Sequence, residues 1–316
     1  MRHCIVGLDL RDSRGVVIGS WEFSDPSFAT PSANSSTAPL LLSKLVHYQQ
    51  ASLSRTMGTV HGVYLKYVGL SALSYMGYTM FAGKEANAIT HRDLQAVGQS
   101  LLPITHHGWI AAALGYSALV NGVIAVLFKA EIGMGIIGKD RATGQIPLWS
   151  KLIFFPFHLP TRLYTYIHTE QHLPAVPVAS EVQDGWWVGG CYANRLGKHW
   201  GAVIDLTVEF PEAAETDHYL SLPTWDGVPA TPAQLENAAA FAVNSPAPRL
   251  IHCAHGRGRS TTTLCACLVK AGLFPTWQEA FEKGIKPYRS VCKLNRRMRQ
   301  NLQAWQEEYV DQKKGH

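Results

Sequence analysis

The pattern of apolar and polar positions divides the chain near residue 176. From Gly108 to Phe128, "GWIAAALGYSALVNGVIAVLF" runs without a charge. That is about the ~20 residues a helix needs to cross the hydrocarbon of a bilayer. His61 to Ala82, "HGVYLKYVGLSALSYMGYTMFA", is a second apolar run with one charge, Lys66, near its start, where a lysine can snorkel. Together they predict a transmembrane hairpin over 60–129; helices buried in a soluble domain are the alternative. Leu148 to Ile167, "LWSKLIFFPFHLPTRLYTYI", mixes aromatic residues with Lys151, Pro156, Pro160 and Arg162. Prolines interrupt a spanning helix, so this segment is expected at the membrane surface, in an interfacial and linker region over 130–175; a third span or a core helix is the alternative.

Beyond Val176 short apolar runs alternate with amphipathic ones. "WWVGG" (186–190), "GAVIDLT" (201–207), "HYLSLP" (218–223) and "RLIHC" (249–253) predict strands. "TPAQLENAAAFAVN", "STTTLCACLVKAG", "TWQEAFEKGI" and "KLNRRMRQNLQAWQEEYV" predict helices; Thr231 with Pro232 starts the first and Gly272 closes the second. The alternation predicts an α/β domain over 176–316 with a central, mostly parallel sheet flanked by helices. At the other end, residues 1–59 include the Ser/Thr/Pro/Ala tract of 23–39, too polar to bury a core and expected to be disordered.

Composition sharpens this picture in three ways. Charged residues are only 16 % and apolar ones 47 %, which fits membrane-embedded sequence. The net charge of +5 is too mild to argue for nucleic acid. The six cysteines show no paired spacing and are expected as reduced thiols. Basic residues are in excess on both outer flanks of the hairpin, which places its N- and C-terminal sides, and the α/β domain, in the cytosol as part of a multi-pass membrane protein.

The candidate chemistry sits in "RLIHCAHGRGRSTTTLCACLVKAG", residues 249–272. A strand ending at Cys253, a tight loop and a helix starting near Ser260 would aim backbone N–H groups at a tetrahedral dianion. Gly256 and Gly258 permit the backbone angles this needs. A thiol in that positive field is acidified, and the planar fork of Arg259 suits two phosphate oxygens.

His252-Cys253-Ala254-His255-Gly256-Arg257-Gly258-Arg259-Ser260 resembles the HCxxGxxR[ST] signature of cysteine-based phosphatases, the dual-specificity branch in particular. The resemblance covers roughly 176–310. It implies that Cys253 is the nucleophile, that residues 254–259 bind the phosphoryl oxygens, and that Ser260 steadies the thiolate as leaving group. His252 would orient the loop beside Cys253. The general acid should lie 25–40 residues earlier after a strand, and Asp226 in "YLSLPTWDGVPATP" fits; an ordinary Asp-Gly turn is its alternative. Neither metal nor cofactor is implied.

The substrate is left between two classes. A compact domain without a deep-pocket insertion resembles enzymes that accept phosphotyrosine, phosphoserine and phosphothreonine proteins, the leading expectation. Arg257, His255 at lower pH, and seven basic residues without an acid in "KGIKPYRSVCKLNRRMR" (283–299) point instead to an anionic phospholipid such as a phosphoinositide or phosphatidylglycerol phosphate. A non-catalytic phosphate-binding scaffold is the further alternative. "HTEQH" (168–172) has i, i+4 spacing but lacks the HExxH order, so no metal is expected there. Cys265 and Cys267 are expected as core packing and Asp205 as structural.

Overall fold

The computed structural model describes residues 8–11, 17–21, 62–93 and 106–312, so the tract of 23–39 lies outside the described residues. The chain forms two compact units, Met1–Thr56 and Met57–His316. In the first, β1 (Leu8–Arg11) and β2 (Val17–Trp21) pair antiparallel.

In the second unit, the two apolar runs become helices α1 (Val63–Asp93) and α2 (His106–Ala130). They pack antiparallel through small residues. Ser71 donates to the Ala118 carbonyl at 2.8 Å, and the Ser74 and Ser117 hydroxyls lie 3.0 Å apart. A Cβ on Gly77 would stand 3.0 Å from Leu114, and one on Gly115 3.2 Å from Tyr78, so the glycines set how closely the helices approach. Their outer faces are apolar and exposed at Leu73, Met76, Met80, Trp109, Leu119 and Val126. Among the described residues, α2 is the one helix long and apolar enough to cross a membrane by length and composition.

The proline-containing segment departs from expectation. It forms α3 (Leu148–Ile153) and α4 (Phe155–His172), and Pro160 sits inside α4 without ending it. Pro156 occupies the first turn, where no N–H is needed. Pro160 lacks the N–H that would meet the Pro156 carbonyl, and Asn121 of α2 donates to that carbonyl instead, at 3.4 Å. Phe157 is fully buried, its ring 5.3 Å from that of Tyr67, so one face of α4 is core while Leu152, Phe155 and Leu159 remain outside. Ile137 and Ile146 are likewise buried, so residues 130–175 are packed structure rather than a linker.

The sheet has the order β3-β4-β7-β5-β6, with β3 (Ala179–Gln183), β4 (Trp186–Gly189), β5 (Ala202–Thr207), β6 (Tyr219–Thr224) and β7 (Arg249–His252). Four strands are parallel, as expected; β3 was not foreseen and adds an antiparallel edge. The flanking helices are α5 (Pro232–Asn244), α6 (Arg259–Lys270), α7 (Trp277–Glu279, widening into π geometry through Ile285) and α8 (Arg296–Gln306). Thr231 and Gln234 form a capping box at the start of α5, which fixes where it begins. Leu264, Cys265 and Cys267 of α6 are fully buried against this sheet, as expected of core packing.

Helices and sheet are fastened together. The Trp225 indole donates to the Ile132 carbonyl at 2.8 Å and stacks 4.4 Å from Phe128. Lys139, just past α2, forms a buried ion pair with Asp205 and donates to Thr207 Oγ1 at 2.9 Å. Glu131 pairs with Arg297 of α8.

Candidate active site

The β7–α6 loop lies at the C-terminal ends of the parallel strands, where α/β sheets place their ligands. Its geometry follows from where its carbonyls go. The Ala254 carbonyl accepts from Cys191 N–H (3.1 Å), His255 and Gly256 from the Arg289 guanidinium (3.2 and 3.0 Å), and Arg257 from Lys293 N–H (2.8 Å). Within a planar trans peptide the N–H points opposite the C=O. With the carbonyls tied outward, the Arg257 N–H faces the other way and, with that of Ser260, hydrogen-bonds the Cys253 thiol. Gly256 makes the turn at φ +65°, and a Cβ there would lie 2.5 Å from the Gly189 carbonyl carbon. Gly258 is not left-handed; its need for glycine is the Met298 methyl 3.0 Å from where a Cβ would be.

Cys253 is buried, with its Sγ 3.3 Å from the Ser260 hydroxyl. Burial alone would raise its pKa. The Arg259 guanidinium, the Ser260 hydroxyl and the amides of Ser260 and Arg257 outweigh that and hold the thiol below its ordinary value. The other buried cysteines move the opposite way: burial pushes Cys292 up to about 11 and Cys265 well above its usual range. Among the described cysteines, Cys253 is the one whose thiol is held down.

Arg259 is 1 % exposed. Its Nη2 lies 2.6 Å from Glu209 Oε1, its Nη1 donates to the Thr224 carbonyl at 2.6 Å, and its Nε has no partner within the protein. The guanidinium is therefore oriented by Glu209 and the Thr224 carbonyl, with its Nε–H unpaired among the described residues. Asp226 Oδ1 lies 3.5 Å from Nη2, with the Asp226 side chain 38 % exposed. Asp226, Cys253, His255, Arg257, Gly258 and Arg259 line one cavity of about 480 Å³. The structure thus brings the expected nucleophile, anion loop and acid together.

His252 Nε2 sits 2.6 Å from Glu212 and 3.7 Å from Asp205, a buried histidine satisfied by carboxylates. Burial opposes its charge, but the two carboxylates prevail and raise it to about 9. His255 does not supply a third charge: burial holds it down at about 4, against an opposing pull from Asp226. The basic stretch 283–299 is also less free than it reads. Lys283 and Lys286 pair with Glu279 and Glu282, Arg297 with Glu131, and Arg289 is buried under the loop.

Among the described residues, one His/Asp/Glu cluster has metal-ligand spacing: Asp205, Glu212 and His252. Lys139 and protonated His252 already balance its two carboxylates, which makes it an ion-pair quartet joining the helical part to the sheet. His168 and His172 of "HTEQH" stack on each other at 4.2 Å, and His168 on His255 at 4.5 Å.

Sequence reasoning missed Glu209, Arg289 and the contribution of α1. Glu209 had a signal, since a buried arginine needs a buried acid and "TVEFPE" follows a strand. Arg289 had none.

No protein-family model matches the chain, and no curated protein does. Solved structures do. Human DUSP28 is 22 % identical over 42 % of this chain and 94 % of its own, with a TM-score of 0.37. The active form of Tk-PTP is 21 % identical over 42 % of this chain and 98 % of its own (TM-score 0.35). PTPMT1 in complex with PI(5)P is 21 % identical over 43 % and 99 % (TM-score 0.35). Likeness at this level does not reach activity, and the chemistry must come from this chain's own side chains.

Proposed function

We propose that this chain is a membrane-held, cysteine-dependent phosphatase of dual-specificity type. The observation that carries it is the acidified Cys253 thiol beneath inward amides, in one cavity with Arg259 and Asp226. Cys253 Sγ attacks phosphorus, forming an S–P bond as the P–O bond to the leaving group breaks, and Asp226 gives that oxygen its proton. The Asp226 carboxylate then takes a proton from water, whose oxygen bonds phosphorus as the S–P bond breaks. Ser260 stabilises the departing thiolate. The loop amides and Arg259 hold the three equatorial oxygens throughout. The catalytic domain spans roughly 176–316.

The exposed apolar faces of α1 and α2 support insertion of the 60–129 hairpin in a bilayer, with the site on the cytosolic side.

The test is p-nitrophenyl phosphate turnover by wild type and Cys253→Ser. The variant should lose turnover by about 10⁴-fold or more and still bind vanadate, while the wild type yields an acid-trappable phosphocysteine. Retained turnover in Cys253→Ser removes the nucleophile. Resistance of the membrane-bound protein to alkaline carbonate extraction tests the hairpin.

A further inference from the structure

The catalytic cavity continues into a second chamber of about 390 Å³, and the two share Val63, Lys66, Tyr164, Asp226 and His255. The chamber runs between α1 and α4. Val63, Lys66, Tyr67 and Leu70 face it from α1 at i, i+3, i+4 and i+7; Pro160, Thr161, Tyr164 and Thr165 face it from α4. Its size suits a small-molecule site. Two of its hydroxyls are engaged: Tyr67 and Thr161 lie 3.2 Å apart, and Thr161 donates to the Phe157 carbonyl at 2.7 Å. Glu209 and Asp226 also border the chamber, and the rest of its lining is mostly ring and hydrocarbon.

Two further features give this chamber a direction. At its junction with the anion loop stands Lys66, its ammonium 4.1 Å from the Tyr164 ring centroid, a cation–π contact, with no ion-pair partner among the described residues. At the other end lie Leu70 and Pro160. Lys66 meets Tyr164 while Tyr67 meets Thr161 and Phe157, so helices α1 and α4 run antiparallel; further along α1 Leu73 and Met76 are exposed, as are Ile153 and Phe155 at the start of α4. The chamber thus leads from the nucleophile to an apolar collar.

We propose, resting on the phosphatase reading above, that the substrate is a lipid phosphomonoester. Its phosphate enters the Cys253 loop, Lys66 meets the anionic head, and the apolar chain lies along Tyr67, Leu70 and Pro160 toward the collar. A phosphopeptide fits the same chamber poorly, because its backbone amides would face hydrocarbon unpaired, a recurring cost for buried polar groups. Leu70 is a specificity residue on this assignment and Lys66 a head-group residue.

The experiment uses the full-length protein in phosphatidylcholine vesicles and reads phosphate release from one head group with growing tails: glycerol 3-phosphate, then lysophosphatidic acids of increasing acyl length. A phosphotyrosine peptide and p-nitrophenyl phosphate run alongside. The expected result is a kcat/KM that climbs by up to about fourfold per added methylene until the chamber fills, then levels. Leu70→Trp should lower the lipid-to-aryl kcat/KM ratio at least tenfold and level the series at a shorter chain, with Leu70→Met restoring it. The wild-type series stands alone should Leu70→Trp not fold. A flat dependence on chain length, or a preference for the peptide, overturns the lipid assignment and leaves the phosphatase intact. No release from any substrate, p-nitrophenyl phosphate included, overturns both.

Discussion

In the sheet half of the 57–316 unit, charged side chains lie inside: Arg259 against Glu209, Lys139 against Asp205, His252 against Glu212. In the helical half, large apolar side chains lie outside, with Leu73, Met80, Trp109 and Val126 between 64 % and 67 % exposed. Each arrangement would be costly if the other surroundings applied. Buried charges survive because each has a partner at hydrogen-bond distance. Exposed apolar faces are stable where the medium is itself apolar. The proposed site lies where the two halves meet, and on that reading both are needed there: a polar nest for the phosphate and an apolar wall beside it.

The sharpest way to break this comparison is at the junction itself. Asp226→Ala should slow phosphate esters with poor leaving groups by about 10²–10⁴-fold and those with good ones far less. Equal losses would show that another group is the acid. Next, Glu209→Ala leaves the Arg259 charge buried without its carboxylate, and should cost about 3–5 kcal/mol in a denaturant titration besides its effect on turnover.

A matched pair then tests the two halves directly. Leu264→Ala, in the fully buried core of α6, should cost about 2–5 kcal/mol, while Leu119→Ala on the outer face of α2 should cost under about 0.5 kcal/mol in micelles. Similar losses at both sites would mean that α2 packs against protein on that face.

The His252 pair gives a pH signature. Its pKa is raised from 6.5 to about 9, so its stabilisation is complete below pH 6.5 and is lost as pH rises through 9. The difference corresponds to about 3 kcal/mol, read as a fall in melting temperature over that window, and Glu212→Gln should flatten it. Smaller again, Arg297→Ala breaks a partly exposed pair with Glu131 and should cost less than about 1 kcal/mol.

Much of the sheet half was legible in the sequence because its signals are local. The strand into Cys253, the glycine turn and the helix from Arg259 follow directly from "RLIHCAHGRGRS". The capping pair Thr231 and Gln234 marks α5 in the same way. What escaped was set by distant partners. Strand β3 is five residues with no apolar run of its own, and exists because β4 offers it an edge. Pro160 reads as a helix breaker, since nothing nearby shows that Asn121 takes up the orphaned carbonyl. His255 looks like a titratable charge in the loop, and only its burial beneath Tyr164 and His168 keeps it neutral. Lys66 reads as an interruption in an apolar run, though it lines the same cavity as Cys253.

The fastening of residues 131–139 to the sheet has a kinetic consequence. The Trp225 indole on Ile132 and the Lys139–Asp205 pair hold the site at a fixed height on the hairpin, with no free tether between them. On the proposed reading, an enzyme so mounted does not sweep the aqueous phase for its substrate; it meets what drifts past in the leaflet. Its rate should then follow the surface mole fraction of substrate, falling when inert lipid dilutes the bilayer and holding steady when only the water volume changes.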